Sequence, residues 1–302
     1  RLEMLREKIP NIPFQMLLRG SNLVGYASYP DNLVRAFIAE SAREGIDVFR
    51  VFDSLNWMPN METAMDEVLR QGKFLEGTVC YTGDILDPTR DRYTLKYYVD
   101  FAKELERRGA HMLAIKDMSG LLKPYAAKKL VSTLKQEIGI PIHLHTHNTS
   151  GTGDMVNLMA AMAGVDIVDT ALSPLANGTS QPATETMFYA LGQYGIETGL
   201  NEKVINEVND FFKPVKQKYV DSGRISAKSM ATDAQALVYK VPGGMLSNMI
   251  ANLTDMKAMD KFDAALKEIP EVRKDLGYPP LVTPLSQMVG NQAVTNVLMG
   301  ER

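Results

Sequence analysis

Three of the four histidines in the chain fall within Pro-Ile-His-Leu-His-Thr-His-Asn, residues 141–148. The β-branched Ile142 and Thr146 mark this stretch as a strand. Side chains two apart on a strand share a face, so His143, His145 and His147 line one surface. Imidazoles at this spacing bring ring nitrogens within reach of one divalent ion, and neutral imidazole is the commonest protein metal ligand. Two nitrogens underfill a catalytic metal, which usually takes three protein ligands. Lys116 ends the preceding strand in Ala-Ile-Lys-Asp-Met. A buried ammonium needs a partner or loses its proton. Two readings follow: a salt bridge to Asp117 or Asp53, or a neutral amine that has captured CO2, giving an anionic carbamate that can bind a cation. Arg19, in Leu-Leu-Arg-Gly, has the fork for a carboxylate or for a structural ion pair. His111 reads as a satisfied core group, and Cys80 as a small hydrophobe inside a strand.

The elements that must hold these groups alternate regularly. Strands are expected at 14–20, 47–53, 74–82, 111–117, 141–148 and 165–172. Helices are expected at 31–44, 59–71, 93–108, 124–135, 152–163 and 182–193. Such a βα repeat builds a doubly wound open sheet or a (β/α)8 barrel. Arg19, Asp53, Thr82, Lys116, His147 and Thr170 all fall at or near strand C-terminal ends, and every strand end can serve one point only around a barrel. No glycine-rich nucleotide-binding loop interrupts the pattern. After about residue 195 the period breaks into helices near 202–220, 232–240, 243–253, 259–267 and 285–299. The expected organisation is a barrel over 1–195 carrying the metal site and an all-helical domain over 196–302 covering the barrel mouth. The eighteen methionines read as core filler.

Composition narrows the function classes. A formal charge of −3 over 302 residues offers no basic footprint for nucleic acid. No apolar run approaches the roughly 20 residues needed to span a bilayer. A single cysteine excludes an intrachain disulfide and suits a reducing compartment. The expected location is the cytoplasm, alone or joined to a membrane complex through other subunits.

Six segments resemble the biotin-dependent carboxyltransferases. They are Leu-Leu-Arg-Gly-Ser-Asn-Leu-Val-Gly-Tyr (17–26), Asp-Val-Phe-Arg-Val-Phe-Asp-Ser-Leu-Asn (47–56), Ile-Lys-Asp-Met (115–118), His-Leu-His-Thr-His (143–147), Gly-Thr-Ser-Gln-Pro (178–182) and Pro-Leu-Val-Thr-Pro (280–284). That family includes the carboxyltransferase domain of pyruvate carboxylase, the oxaloacetate decarboxylase α subunit and a transcarboxylase subunit. The resemblance implies transfer of CO2 between N1-carboxybiotin and pyruvate or oxaloacetate through a metal-stabilised enolpyruvate. It implies that carbamylated Lys116, His145 and His147, rather than His143, bind a divalent metal (zinc, manganese or cobalt). It also implies that Arg19 holds the pyruvate carboxylate or enolate, that Tyr26 lies by the substrate, and that Thr283 shuttles the proton. From its position alone, Thr283 could equally be the N-cap of the helix at 285–299. Asn148 stands where the family commonly has an aspartate after the second histidine ligand.

Within the family the signals divide. Cys-Tyr-Thr-Gly-Asp-Ile-Leu-Asp-Pro (80–88) and His-Thr-His look like pyruvate carboxylase. Val-Pro-Gly-Gly-Met-Leu-Ser-Asn-Met (241–249) and Pro-Pro-Leu-Val-Thr-Pro with Gly-Asn-Gln-Ala-Val (290–294) look like the stand-alone decarboxylase-type subunits. The reading leans to a separate subunit, of decarboxylase α or carboxylase B type, over the domain of a single-chain pyruvate carboxylase. No biotinylation motif or ATP-binding module is present, so biotin is expected on a separate carrier domain or subunit, in an assembly that is a homo-oligomer. The competing readings are a biotin-independent metal-dependent aldolase or lyase, against which Lys116 and Thr283 argue, and a non-catalytic assembly piece. The family also places two strands before the one at 14–20, the first carrying a metal-binding aspartate. Residues 1–10 read as helical, so a barrel lacking its first two strands is expected, with six parallel strands and a gap between 14–20 and 165–172.

Overall fold

The computed structural model describes residues 1–89, 91–225, 227–239 and 241–300. Six parallel strands form one sheet in sequence order: β1 (Gln15–Leu18), β2 (Val48–Val51), β3 (Phe74–Cys80), β4 (Met112–Asp117), β5 (Ile142–Thr146) and β6 (Ile167–Val168). β1 and β6 each have a single neighbour, so the six strands form a half-barrel whose gap lies where the sequence places it. Helix α1 (Leu2–Lys8) precedes the sheet, and α2 (Asp31–Arg43), α3 (Pro59–Arg70), α4 (Leu95–Arg107), α5 (Pro124–Glu137), α6 (Gly153–Met162) and α7 (Thr184–Tyr194) each follow a strand.

Local chemistry explains the boundaries. Pro59 and Pro124 open α3 and α5, where the missing N–H would have had no intrahelical partner. The Thr94 hydroxyl caps α4 by accepting from Tyr97 N. Leu75, Val79, Leu113, Ile115, Ile142 and Leu144 are all buried beneath the helices. At Gly77 an added Cβ would stand 3.0 Å from both Ala110 and Leu105, so the chain is seated closely against β3 there and a side chain would have to push its neighbours aside.

β6 is shorter than the stretch 165–172 suggests. Beyond Asp169 the backbone leaves β5: Ala171 N donates to Pro182 O and Thr184 N to Ala171 O, so the loop before α7 satisfies those groups instead.

The C-terminal helices are α8 (Glu202–Asp221), α9 (Ala227–Met230), α10 (Ala236–Tyr239), α11 (Gly243–Asp255), α12 (Phe262–Asp275) and α13 (Leu285–Met299). Of the stretch 232–240, residues 232–239 are helical only over α10, and residue 240 lies outside the described residues. α12 runs on to Asp275 with Pro270 inside it. Met245, Met249, Leu253, Ile269, Val289 and Ala293 build a second core, distinct from that of the sheet. Methionine is only partly filler: Met61, Met65 and Met249 are buried, while Met4, Met256 and Met299 are exposed. No helix among the described residues is long and apolar enough to cross a membrane.

Candidate metal centre

Strand pairing sets Lys116 beside His145, one register step from Asp117 beside Thr146. All of β5 except half-buried His145 is buried, and His147 is the first residue past it. Gly120, after β4, lets the chain close over the end of β5. It has a positive φ, and a Cβ there would stand 2.7 Å from the His147 carbonyl.

The two later histidines are held in one tautomer each. His147 Nδ1 lies 2.7 Å from Thr179 O, which can only accept, so this nitrogen carries the proton. His145 Nδ1 lies 2.7 Å from Asp169 Oδ2. Burial works against the charge on Asp169, but hydrogen bonds from His143 and His145 and the nearby Arg50 outweigh it. Its carboxyl is held far below the usual range and accepts from His145. Burial, with Lys116 close by, drops His145 to about 3 and His147 to about 4, so both rings are neutral. Each Nε2 is therefore a lone pair, and the two stand 3.2 Å apart. Among the described residues, Gln181 Nε2 is the further hydrogen-bonding atom here, at 3.4 Å from His147 Nε2. Two facing lone pairs repel, and a shared cation turns that repulsion into binding.

Lys116 is 2% exposed and stands over the Phe52 ring, its Nζ 5.0 Å from the centroid. The salt bridge to Asp117 or Asp53 does not form. Asp117 accepts from Leu121 N, Leu122 N and Thr146 Oγ1. Asp53 accepts from Leu55 N, Trp57 N and Asn60 Nδ2. Burial pulls Lys116 down to about 8, within reach of the neutral amine near physiological pH. No group of three or more His, Cys, Asp or Glu among the described residues could hold a metal ion. The histidine pair thus fits a divalent ion as two nitrogen donors, and the side chain in register to add a third is Lys116.

His143 belongs elsewhere. Its Nδ1 lies 2.6 Å from Glu76 Oε1 and its Nε2 2.7 Å from Asp169 Oδ1. Burial disfavours its charge, but the two carboxylates prevail and raise its pKa. Arg50, across from Glu76 in the β2–β3 register, bonds Glu76 through Nε and reaches Asp169 Oδ2 through Nη1 at 2.8 Å. Buried Arg50, Glu76 and His143 and half-buried Asp169 form a charge-balanced cluster beside the His145–His147 pair. Arg50, Glu76 and Asp169 escape a reading by histidine spacing. The available signal is an arginine and a glutamate of opposite charge inside apolar strands. Asp169 also supplies the anion that Asn148 cannot: the Asn148 amide is spent on Asp154, Asn177 and Gly153 N.

The remaining candidates occupy the rim. Arg19 follows β1 and donates through Nη1 to Val24 O and Gly25 O. No ion pair to Arg19 forms among the described residues, and its buried Nε has no acceptor, so one edge of the fork is free. Its guanidinium carbon lies 5.5 Å from the ring centroid of exposed Tyr26. Thr283 is not the N-cap of α13: Pro284 holds that place and no side-chain cap bond forms. The half-buried Thr283 hydroxyl lies 3.5 Å from Ser286 Oγ. Its neighbour Val282 packs on Phe52 and Cys80, which carries the threonine segment to the aromatic floor under Lys116. No direct contact joins Arg19, Tyr26 or Thr283 to the histidine pair among the described residues. Thr82 and Thr170 have other uses: Thr82 Oγ1 accepts from Arg273, and Thr170 Oγ1 pairs with Thr184. His111 is exposed rather than core, accepting from Leu75 N against the Phe74 ring.

Residues 236–302 match the conserved carboxylase domain family, and residues 88–212 match the HMGL-like family. The chain is 50% identical over its full length to the B-type subunit of pyruvate carboxylase from Methanocaldococcus jannaschii, covering 52% of that protein. It is 45% identical over 97% of its length to pyruvate carboxylase of Staphylococcus aureus, covering 25% of that protein. The chain thus spans about half the length of the first relative and a quarter of the second. The carboxyl transferase domain of Rhizobium etli pyruvate carboxylase, solved with pyruvate and biocytin, superposes with a TM-score of 0.94 at 38% identity. That match covers 99% of this chain and 50% of the other.

Proposed function

Because the chain belongs to the biotin-dependent carboxyltransferase family, we propose that it moves a carboxyl group between carboxybiotin and pyruvate or oxaloacetate. The observation that carries this is the pair of facing Nε2 lone pairs on His145 and His147 with Lys116, buried and without a carboxylate partner among the described residues, in register beside them. A divalent ion there, zinc, manganese or cobalt, would supply Lewis acidity toward the keto oxygen of the substrate. His145 and His147 would hold it as neutral nitrogens and Lys116 as a carbamate.

The other residues divide the work. The free edge of the Arg19 fork suits the pyruvate carboxylate and the charge that spreads to the enolate. Tyr26 flanks it. The Thr283 hydroxyl has no capping duty and can pass a proton, taking it from the pyruvate methyl as it gives its own to N1 of biotin. In the carboxylation direction the N1–carboxyl bond breaks and a bond to the pyruvate methyl carbon forms. Residues 196–302 act as a helical unit over the barrel mouth, a reading supported by the core that residues 241–297 build for themselves and by the Arg273–Thr82 bond. Identity is greater to the separate B-type subunit than to the single-chain carboxylase, which favours a chain of the former type. Carboxybiotin then arrives on a carrier domain, within a cytoplasmic homo-oligomer.

The test is metal analysis together with oxaloacetate decarboxylation. The proposal expects bound divalent metal and a rate that rises with added biotin. A metal-dependent rate indifferent to biotin would favour a biotin-independent lyase instead.

A further inference from the structure

Arg273 lies in the last turn of α12, 4% exposed. Its fork bonds across two parts of the fold. Nε donates to Pro279 O at 2.7 Å, Nη2 to Tyr278 O at 3.3 Å, and Nη2 again to Thr82 Oγ1 at 2.7 Å. Thr82 is itself fixed. Its N–H donates to the Tyr98 hydroxyl at 2.9 Å, and that hydroxyl donates back to Thr82 O at 2.7 Å, with Tyr98 fully buried. The carbonyls that Arg273 holds belong to the strap leading into Thr283. Only Pro280, Leu281 and Val282 lie between Pro279 and Thr283, and Leu281 and Val282 are buried.

We propose that Arg273 is a positioning residue: it clamps the strap at Tyr278–Pro279 to the end of β3 and so sets where the Thr283 hydroxyl stands over the Phe52–Lys116 floor. This rests on the proton-relay reading of Thr283. Among the described residues the strap meets the barrel through Val282 on Phe52 and Cys80, through the Arg273 fork on Thr82, and, farther from Thr283, through Arg92 Nη1 donating to Gly277 O. A rigid planar fork with three bonds fixes orientation in a way a lysine cannot. Loss of the fork leaves the non-directional Val282 contact and the Arg92–Gly277 bond, six residues before Thr283, to aim the hydroxyl. A misplacement of about 1 Å at a reacting group costs on the order of 100-fold in rate.

The test uses full-length protein with its carboxybiotin donor and compares Arg273→Met, Arg273→Lys, Thr82→Val, Thr283→Ala and the double variant Thr283→Ala/Arg273→Met. Arg273→Met should lower kcat and the exchange of pyruvate methyl protons with solvent by roughly 10- to 100-fold. Thr82→Val keeps the side-chain shape and removes one acceptor, and should lose a smaller part of both. Metal content and the KM for pyruvate should stay unchanged, and Arg273→Lys should recover part of the loss. The double variant should be no slower than Thr283→Ala alone, because the clamp acts only through the hydroxyl. Normal kcat and exchange in Thr82→Val would overturn the clamp, as would additive losses in the double variant. Thr82→Val decides the matter if Arg273→Met does not fold. Should Thr283→Ala itself transfer carboxyl groups normally, the relay reading falls. Should it be inactive while Thr82→Val is normal, the clamp alone falls.

Discussion

Asp169 Oδ2 stands 2.7 Å from His145 Nδ1, and this contact commits the opposite nitrogen of the ring to face His147. An anion behind an imidazole both fixes its tautomer and raises its basicity toward a metal. Asp169→Asn keeps the shape, but its amide can turn either an oxygen or a donor toward the ring. Metal affinity should fall by about 10- to 100-fold, read by competition with a chelator. Unaltered affinity would remove Asp169 from this role.

Lys116 leads to a prediction about CO2. A carbamate forms only where the amine and CO2 meet, so metal retention should weaken on exhaustive CO2 removal and return with bicarbonate. Lys116→Ala should lose the metal and carboxyl transfer together. Crystals of metal-loaded protein should show added density on Nζ. Bare Nζ in a metal-loaded site would contradict the assignment.

Thr283 and Arg19 should fail in different ways. Thr283→Ala should lose all but a residual rate of transfer while metal and pyruvate still bind, since only the proton path is lost. Arg19→Lys should weaken pyruvate binding and transfer together, because a point charge cannot replace the fork. Normal turnover in either variant would discard that residue's role.

Glu76 gives the stability of the fold a pH signature. Burial opposes its charge, yet hydrogen bonds from His143 and Arg50 hold its folded pKa below the ordinary carboxylate value. A lowered folded pKa stabilises the protein above the unfolded value, and the gain disappears as pH falls through the folded one. Glu76→Gln should therefore cost about 3–5 kcal/mol near neutrality, the range for breaking a buried pair. The gap to the parent protein should narrow below about pH 4, where an unfolded glutamate begins to protonate. Denaturant melts across pH measure this, and a gap constant with pH would contradict it.

The sequence by itself determined the alternation of strands and helices, because hydrophobic period and proline and glycine punctuation are local properties. It placed His145 and His147 on one face for the same reason: alternation along a strand needs no partner. It also placed Lys116, Arg19 and Thr283 at element ends, by spacing and by resemblance.

Tertiary structure decided what those groups are free to do. Whether Lys116 pairs with Asp53 or Asp117 depends on which donors reach the carboxylates, and the backbone turn just after each aspartate, once folded, claims it. His143 and His145 are two residues apart in one strand, yet one is bound into a charge cluster and the other presents a lone pair. The difference comes from Glu76 and Arg50, 67 and 93 residues before His143, and from Asp169 beyond the end of β6. Sequence proximity carries no information about such partners, because strand register and burial bring them together only when the sheet forms.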